Sequence, residues 1–495
     1  MKDAYYRKGG PVFFYDGGEA GLNDRAAAQM LGGDILFAPL ELARKHHGIV
    51  IIWEHRFFGE SMPFETNGKD GIAVDGFEAY GYLNNEQALE DVVSFAQNFQ
   101  PAGHGNDELS SDSTPWIAMG GSYAGVRAAM MRLRNPEVFF ASWSSSAPVQ
   151  TEAENSEYYN NIVQSMPANC SADVHAAITH ADEILLRGND EEIALLKQVL
   201  FLTNNATFGG SQDMITIPGE RKADDITYFD AASILATAFH TFPAFQMVGY
   251  RSLDKFCNYL ETWNPKNATQ FTLTSPISVL ADNSFDASPT FDGLRSKYGS
   301  ETAFYAFIGA TIRSSRPLPD SPSRQIGSKA DRASWTWMLC NEFAQFPVSE
   351  YPSPASIISR FNNISAVLDN FCQRQFSYLP PQPKVKQILK YGGWNMKPSN
   401  VMFTNGEIDP WRALSIQSSK DINPHALDRT TTQTVPLCNV APSEDEVFGI
   451  VYEGAVHVSD LRRRREDRKG NVDKGLELFE KALDAWLPCF RPRET

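Results

Sequence analysis

Short apolar segments that alternate with amphipathic segments most constrain how this chain can fold. Residues 48–54 read GIVIIWE, a continuous β-branched run that is typical of a strand covered on both faces. Shorter apolar runs also fit buried strands, at residues 11–16, 116–119 and 139–143. Helical periodicity predicts helices between them, at residues 36–46, 85–99 and 125–134. This alternation predicts an α/β fold with a mostly parallel sheet and helices on both faces.

From about residue 151 the pattern changes to helical periodicity with few convincing strands. Helices are predicted at residues 154–165, 172–187, 191–202, 229–242 and 253–263. Strand-like runs return at residues 400–404 and 446–452, before a final helix at 474–486. We therefore expect two domains built from three segments. Residues 1–150 form the first part of the sheet domain, 151–394 a mainly helical insertion, and 395–495 the second part of the sheet domain.

Composition excludes two classes of function. The 495 residues include 44 Lys and Arg against 60 Asp and Glu, for a formal net charge of −16. Nucleic-acid binders draw much of their affinity from neutralising phosphates, so this balance argues against that class. No run approaches the ~18 consecutive apolar residues of a membrane-spanning helix, so no membrane span is expected.

The chain start and the cysteines leave the compartment undecided. No apolar stretch follows the basic start, so no signal peptide is visible. Asn-x-Ser/Thr sequons are weak evidence for secretion in so long a chain; they start at Asn169, Asn205, Asn267 and Asn363. The six cysteines permit fifteen pairings, and none has the C-x-x-C spacing of zinc or thioredoxin sites. We expect neither a metal nor another cofactor.

Ser122 is the strongest candidate for a nucleophile. It lies in the segment GGSYAG, residues 120–125, between a predicted strand and a predicted helix. A nucleophile elbow needs small residues around its serine because strand and helix approach closely there. The match to G-x-S-x-G is loose because position 124 is Ala. The Tyr123 N–H would face a developing oxyanion; a glycine-rich turn without chemistry is the alternative.

A base and an acid follow Ser122 in the order that this kind of site requires. His457 comes directly after the strand at 446–452 and is the best-placed of the histidines that follow Ser122. The turn after residues 400–404 offers Glu407 and Asp409, and we choose Asp409, although an Asx turn before proline is equally consistent with it. Ser122 would attack a carbonyl, His457 would move the proton, and Asp409 would orient the imidazole.

The glycine-rich loop after residues 11–16 is the candidate source of a second oxyanion donor. Its glycines would let the backbone approach a substrate oxygen, and Gly18 or Glu19 would supply the N–H. A plain glycine turn is the alternative.

Several segments together resemble the S28 serine peptidases, the family of lysosomal Pro-Xaa carboxypeptidases, dipeptidyl peptidase II and their fungal relatives. Residues 9–15 with Gly18 and Glu19 are similar to the family's first core strand and loop, and residues 54–61 (EHRFFGES) to its E-H-R-[YF]-[YF]-G-E-S motif. Residues 120–125 resemble G-G-S-Y-G-G with Ala124 in place of Gly, and 405–411 (NGEIDPW) resemble N-G-x-x-D-P-W. Residues 335–343 match the family more loosely. The histidine segment GAVHVSDL departs from the family's G-A-H-H-x-D-L, but its single His457 makes the choice of base unambiguous.

The resemblance implies an α/β-hydrolase fold with a large helical cap, and proline-containing peptide substrates. It implies cleavage next to proline, as a dipeptidyl, tripeptidyl or Pro-Xaa carboxypeptidase. Trp411 could stack on the proline ring, and Met338 with Trp337 could close over it, with core packing as the alternative for these two. Glu19 could read a free substrate amine, or could be a surface or structural residue.

The family also implies a secreted, vacuolar or lysosomal location, oxidised cysteines and glycans. Its members carry an N-terminal stretch that is not seen here, so the chain is expected to be N-terminally shortened.

Two alternative functions and a few other features stay open. The same triad fits an esterase, and the fold fits a catalytically silent binding protein. A homodimer is also left open. We expect the charged cluster of residues 54–60 to be a buried network that supports the active-site loops, and the basic run 462–465 to be a solvated loop.

Overall fold

The computed structural model describes most of the chain. The described residues are 1–33, 35–68, 71–74, 76–105, 108–208, 222–240, 253–272, 274–281, 293–315, 328–350, 356–377, 379, 382–464 and 473–493.

A seven-stranded parallel sheet forms the centre of the α/β fold. Its strands are β1 (Val12–Asp16), β3 (Ile49–Trp53), β4 (Trp116–Gly121), β5 (Phe139–Ser145), β6 (Val401–Gly406), β7 (Thr430–Thr432) and β8 (Glu446–Tyr452). They lie in the order β3-β1-β4-β5-β6-β8-β7, and every pair is parallel. The continuous apolar runs of the sequence are therefore strands with both faces buried, as predicted.

Helices connect the strands and fill the long interval between β5 and β6. The helices before that interval are α1 (Asp24–Gly32), α2 (Ala38–His46), α3 (Asn85–Asn98) and α4 (Tyr123–Arg134). Those inside it are α5 (Glu157–Gln164), α6 (Ala168–Arg187), α7 (Asp190–Phe208), α8 (Tyr228–His240), α9 (Leu253–Glu261), α10 (Lys266–Gln270), α11 (Leu294–Tyr298), α12 (Ser300–Ser315), α13 (Lys329–Met338), α14 (Ile364–Val367) and α15 (Lys386–Leu389). Helix α16 (Asp473–Trp486) follows the sheet. Residues 241–242 of the helix predicted at 229–242 lie outside the described residues.

The hydrophobic core has separate parts around the sheet and among the inserted helices. Two clusters cover the sheet, one on β1, β4 and α4, the other closed by α2 and α16. A third cluster joins helices α5–α9 with α11 and α12. The buried apolar residues of helices α13, α14 and α15 pack with the sheet cluster, whereas Ile357 and Ile358, between α13 and α14, pack with the helical cluster. The interval between β5 and β6 thus contains two differently packed parts.

The structure corrects two local expectations. Ile35–Phe37 is a short strand, β2, and the predicted helix starts only at Ala38, with Pro39 in its first turn. The basic run was expected to be a solvated loop, but Arg462–Arg464 forms strand β9, which pairs antiparallel with β2. Three-residue strands leave almost no periodic signal, so the sequence could not predict this pair.

The six cysteines pair as Cys170–Cys257, Cys340–Cys372 and Cys438–Cys489. Among the described residues, none of the helices is both long enough and apolar enough to cross a membrane.

Candidate active site

Ser122 lies in the sharp turn between β4 and α4, with backbone angles of φ 59° and ψ −128°. A β-carbon at Gly120 would lie 2.3 Å from the Ala124 carbonyl oxygen, and one at Gly121 would lie 2.5 Å from Val458 Cγ1. Only glycine fits at either position, so the glycines permit the strained serine conformation. Ser122 is half-buried and its N–H is held by the Ser145 carbonyl at 2.9 Å. This is the geometry of a nucleophile elbow.

Asp409 and His457 form a buried pair at the ends of neighbouring strands. Asp409 follows β6 and His457 follows β8; the two side chains are 0% and 1% exposed. His457 Nδ1 lies 2.8 Å from Asp409 Oδ2 and 2.9 Å from Oδ1. A carboxylate only accepts hydrogen bonds, so Nδ1 carries the proton and Nε2 is the basic nitrogen. Nε2 is buried and has no hydrogen-bond partner among the described residues.

The loop of His457 is fixed against the end of β5, near Ser122. The Val458 N–H donates to Ser146 Oγ at 2.9 Å, and Ser145 Oγ donates to Asp460 at 2.6 Å. Thr404 Oγ1 and Tyr452 OH also donate to the Asp460 carboxylate. Burial raises the pKa of Asp460, while these hydroxyls act in the opposite direction. Ser145 therefore links both halves of the site, since its carbonyl holds Ser122 and its hydroxyl holds the histidine loop.

The oxyanion candidates lie close together, but the N–H groups of both loop candidates already have partners. Tyr123 is the first residue of α4, where backbone N–H groups lack helical acceptors. Gly18 lies beside Ala124, with a β-carbon position 3.4 Å from the Ala124 β-carbon. The Gly18 N–H, however, donates to Asp16 Oδ1 at 2.9 Å. The N–H of Glu19, the other candidate of this loop, acts on the Glu19 carboxyl group itself, so it could serve an oxyanion only if that contact opened.

Two of the three substrate-binding candidates, Trp411 and Met338, have different surroundings. Trp411 is half-buried, and its N–H donates to Asp409 Oδ1 at 2.9 Å. Its ring meets Tyr158 of α5 edge-on at 5.0 Å. Met338 is fully buried in the sheet cluster, so it packs in the core and exposes no surface to a substrate.

Trp335 is a candidate that sequence reasoning missed. It is half-buried on α13, and its ring centre lies 5.2 Å from that of Tyr123, the residue after Ser122. Its position three residues before Met338, on the same face of α13, was the signal that could have drawn attention to it.

Glu19 is half-buried near His457. Burial raises the pKa of its carboxyl group. The backbone N–H of Glu19 itself and the His457 charge lower that pKa, and Asp16 raises it further. A carboxyl group in this position can meet a positively charged group of a substrate.

In the charged cluster of residues 54–60, Glu54 supports loops around the site, as expected. Glu54 accepts hydrogen bonds from the Leu22 N–H at 2.6 Å and the Ser61 N–H at 2.8 Å. His55 is fully buried, whereas Glu60 is exposed. Among the described residues, no group of three or more His, Cys, Asp or Glu side chains could hold a metal ion.

Residues 1–214 and 299–431 match the family described as Serine carboxypeptidase S28. Ser122 and Asp409 lie within the matched residues, and His457 lies beyond them. The serine protease vicPa of Bipolaris victoriae (strain FI3) is 26% identical over 98% of this chain and 84% of that protein. The lysosomal Pro-X carboxypeptidase of Mus musculus is 23% identical over the same shares. A probable extracellular serine carboxypeptidase of Arthroderma benhamiae (strain ATCC MYA-4681 / CBS 112371) is 23% identical over 84% of this chain, which spans 55% of that relative. The chain belongs to the S28 family of serine peptidases.

Proposed function

We propose that this chain is an exopeptidase of the α/β-hydrolase fold that cleaves peptide bonds next to proline through Ser122, His457 and Asp409. The observation that carries the proposal is the buried Asp409–His457 pair beside a serine held at φ 59°. Because Nδ1 of His457 carries the proton that faces Asp409, Nε2 is free to accept a proton. A serine nucleophile needs such a base.

In the proposed reaction, Ser122 Oγ attacks the scissile carbonyl and His457 Nε2 takes its proton. Asp409 holds the imidazole in the Nδ1–H tautomer and stabilises the imidazolium. The Tyr123 N–H and a donor from the loop at residues 17–19 stabilise the oxyanion. The tetrahedral intermediate collapses as His457 gives its proton to the leaving amine. Water, deprotonated by the same nitrogen, then releases the acyl group from Ser122.

Proline specificity is proposed to come from Trp411, with Trp335 as a second apolar wall. Trp411 is bound through its backbone to Asp409 and braced by Tyr158, so a proline ring stacked on it would sit next to the reacting carbonyl. The names of relatives that act as carboxypeptidases, including one on Pro-X bonds, support an exopeptidase. The inserted helices would act as a cap, since Asn161 Nδ2 of α5 donates to the Asp409 carbonyl at 2.6 Å.

The direction of cleavage is proposed to depend on Glu19. Its carboxylate, near His457, would pair with the free amine of a short N-terminal segment and favour dipeptidyl or tripeptidyl release. A lysosomal or extracellular location is proposed on the names of two relatives and on three disulfides, which persist in oxidising compartments.

The test compares a set of proline-containing peptides with free and blocked termini, using product analysis by mass spectrometry. We expect the wild-type protein to cleave after proline and to lose this activity when the N-terminus of the substrate is blocked. The Glu19→Gln variant should recover part of the activity on N-blocked substrates. Loss on blocking the C-terminus instead would identify a carboxypeptidase, and preference for simple acyl esters would identify an esterase.

The catalytic assignment has its own variants. Ser122→Ala should lower kcat by at least about 10⁴-fold, because removing a triad nucleophile leaves only the residual catalysis of the site. Ser94→Ala, a change of the same kind at an exposed position of α3, is the control and should keep wild-type kcat. Absence of Ser122 labelling by a fluorophosphonate in folded protein would contradict the proposal.

A further inference from the structure

A buried ion pair lies directly beneath the candidate oxyanion loop. Arg127 Nε lies 2.6 Å from Asp16 Oδ2, and the two side chains are 0% and 1% exposed. Burying two charges carries a desolvation cost that an apolar pair would avoid, so such a pair is weak evidence for a role in stability alone. Its position raises the question of what it holds in place.

On the acidic side, the pair fixes the loop. Asp16 ends β1, and its two oxygens have different partners: Oδ2 binds Arg127, and Oδ1 accepts the Gly18 N–H at 2.9 Å. Gly18 has φ 73° and faces Ala124 in the first turn of α4. The carboxylate therefore sets the position of residues 17–19 relative to the start of α4.

On the basic side, the pair fixes the helix that carries Tyr123. Arg127 lies on α4, and its second contact is from Nη2 to the Ala88 carbonyl of α3 at 3.2 Å. Its guanidinium carbon lies 5.8 Å from the centre of the Tyr123 ring. Burial alone would lower the pKa of Arg127, but Asp16 and Tyr123 outweigh it and hold that pKa above its usual value. Arg127 therefore stays charged.

The Tyr123 side chain is held from its other end by a neutral histidine. His55 Nδ1 donates to the Arg56 carbonyl at 2.6 Å, so Nε2 accepts from Tyr123 OH at 3.0 Å. Burial and the nearby Arg127 lower the pKa of His55 well below its usual value, which keeps it an acceptor. Both candidate oxyanion elements thus contact the Asp16–Arg127 pair. The loop contacts Asp16, and the Tyr123 side chain lies between Arg127 and His55.

We propose that Asp16 and Arg127 are positioning residues that set the distance between the Tyr123 N–H and the loop at residues 17–19, and so assemble the oxyanion site. The proposal rests on the proposed function, since it requires Ser122 as the nucleophile. Such a role acts on the transition state, where the oxyanion exists, and leaves substrate binding nearly unchanged.

The test uses Arg127→Lys, which keeps the charge but loses the forked guanidinium, and Asp16→Asn, which keeps the shape but loses the charge. We expect kcat to fall about tenfold to a hundredfold with KM within about twofold, because a displaced donor loses part of the ~10²–10³-fold that one oxyanion donor supplies. Affinity for a peptide aldehyde, whose adduct with Ser122 carries the same oxygen, should fall in parallel with kcat.

Two further variants keep the test decisive. Asp16→Asn with Arg127→Gln removes both charges and leaves no lone buried ion; its kcat should be no lower than that of the worse single variant, because the pair acts as one unit. Arg132→Lys is the matched control: Arg132 is a buried arginine at the other end of α4 that binds the carbonyls of Pro136 and Phe139. It should lower the melting temperature without lowering kcat.

Wild-type kcat and aldehyde affinity in folded Asp16 and Arg127 variants would overturn the proposal, even if their melting temperatures fell. An equal loss of kcat in Arg132→Lys would overturn it too, since it would indicate a general effect of loosening α4. Failure of wild-type protein to label at Ser122 with a fluorophosphonate would instead remove the proposed function on which the inference rests.

Discussion

At the scale of single residues, the backbone of the turn at Ser122 depends on two preceding residues that lack a β-carbon. Gly120 and Gly121 leave room for the Ala124 carbonyl and the Val458 side chain, and Ser122 can then adopt its positive φ. The local sequence predicted this turn because small residues flank a serine between a strand and a helix. It could not predict that Val458, far along the chain, fills the space above Gly121.

Gly120→Ala should destabilise the protein and reduce its activity. The new β-carbon would lie 2.3 Å from the Ala124 carbonyl oxygen, so the first turn of α4 must shift. We expect a loss of about 1–3 kcal/mol in the free energy of unfolding, as for other overpacked sites, and at least a tenfold loss of kcat. Urea unfolding and steady-state kinetics measure the two effects.

Gly81→Ala is the control for this prediction, because a β-carbon there would meet nothing within 4 Å. Wild-type kcat in Gly120→Ala would contradict the view that the glycine sets the position of Ser122.

Other site residues show where local reasoning reaches its limit. The residues that pack around Met338 come from distant parts of the chain, so the sequence could not predict that it is fully buried. The Gly18 N–H, by contrast, is used by Asp16, only two residues earlier. Asp409 and His457 were predictable because each follows a clear strand and the chain order restricts the choice.

At the scale of elements, two buried carboxyl groups lie next to each other where three of the inserted helices meet. Asp173 of α6 accepts the N–H groups of Leu294 and Arg295, at the start of α11. Glu261 ends α9 and is 6% exposed next to Asp173. Burial, and then Asp173, raise the pKa of Glu261 to about 8, while Asn169 acts in the opposite direction. The contact is therefore favourable only while Glu261 is protonated.

The stability of these helices should fall as the pH rises. Above the ordinary value of 4.5 the unfolded chain loses the Glu261 proton, whereas the folded chain keeps it until about pH 8. The folded state binds more protons in that window, so the free energy of unfolding decreases with pH across it. Glu261→Gln should raise the free energy of unfolding at pH 8 by about 2–4 kcal/mol and flatten its pH dependence.

Urea unfolding at pH 5 and pH 8 tests this expectation. Glu477→Gln makes the same charge change at an exposed position of α16 and should leave both values unchanged. A pH dependence that is identical in wild type and Glu261→Gln would contradict the assignment to this carboxyl.

At the scale of the whole molecule, the sheet was predictable and the division of the insertion was not. Each central strand is a continuous apolar run with a strong local signal. The helices of residues 151–394 are also apolar on one face, and that face does not reveal whether it packs on the sheet, as α13 does, or on other helices, as α6 does. The choice depends on tertiary contacts that periodicity does not encode.

The three disulfides predict how the oxidised protein responds to thiol reagents. Each brings together segments at least 32 residues apart, so each restricts the unfolded chain. Denatured but unreduced protein from a eukaryotic secretory host should take up no iodoacetamide, and reduced protein should take up six groups. Cys170→Ser with Cys257→Ser should cost about 2–4 kcal/mol of stability. Alkylation before reduction, read by intact mass, would contradict the pairing.

The spacing of β5 and β6 has a consequence for the newly made chain. These strands are hydrogen-bonded neighbours, yet β5 ends at Ser145 and β6 begins only at Val401. At about 5–20 residues per second, translation of the interval takes roughly ten to fifty seconds. During that time the edge of β5 has no partner, while the inserted helices can already pack. Ser122 is made in the first part of the chain, and Asp409 and His457 in the last, so on the proposed triad a nascent chain would stay inactive until its synthesis is nearly complete.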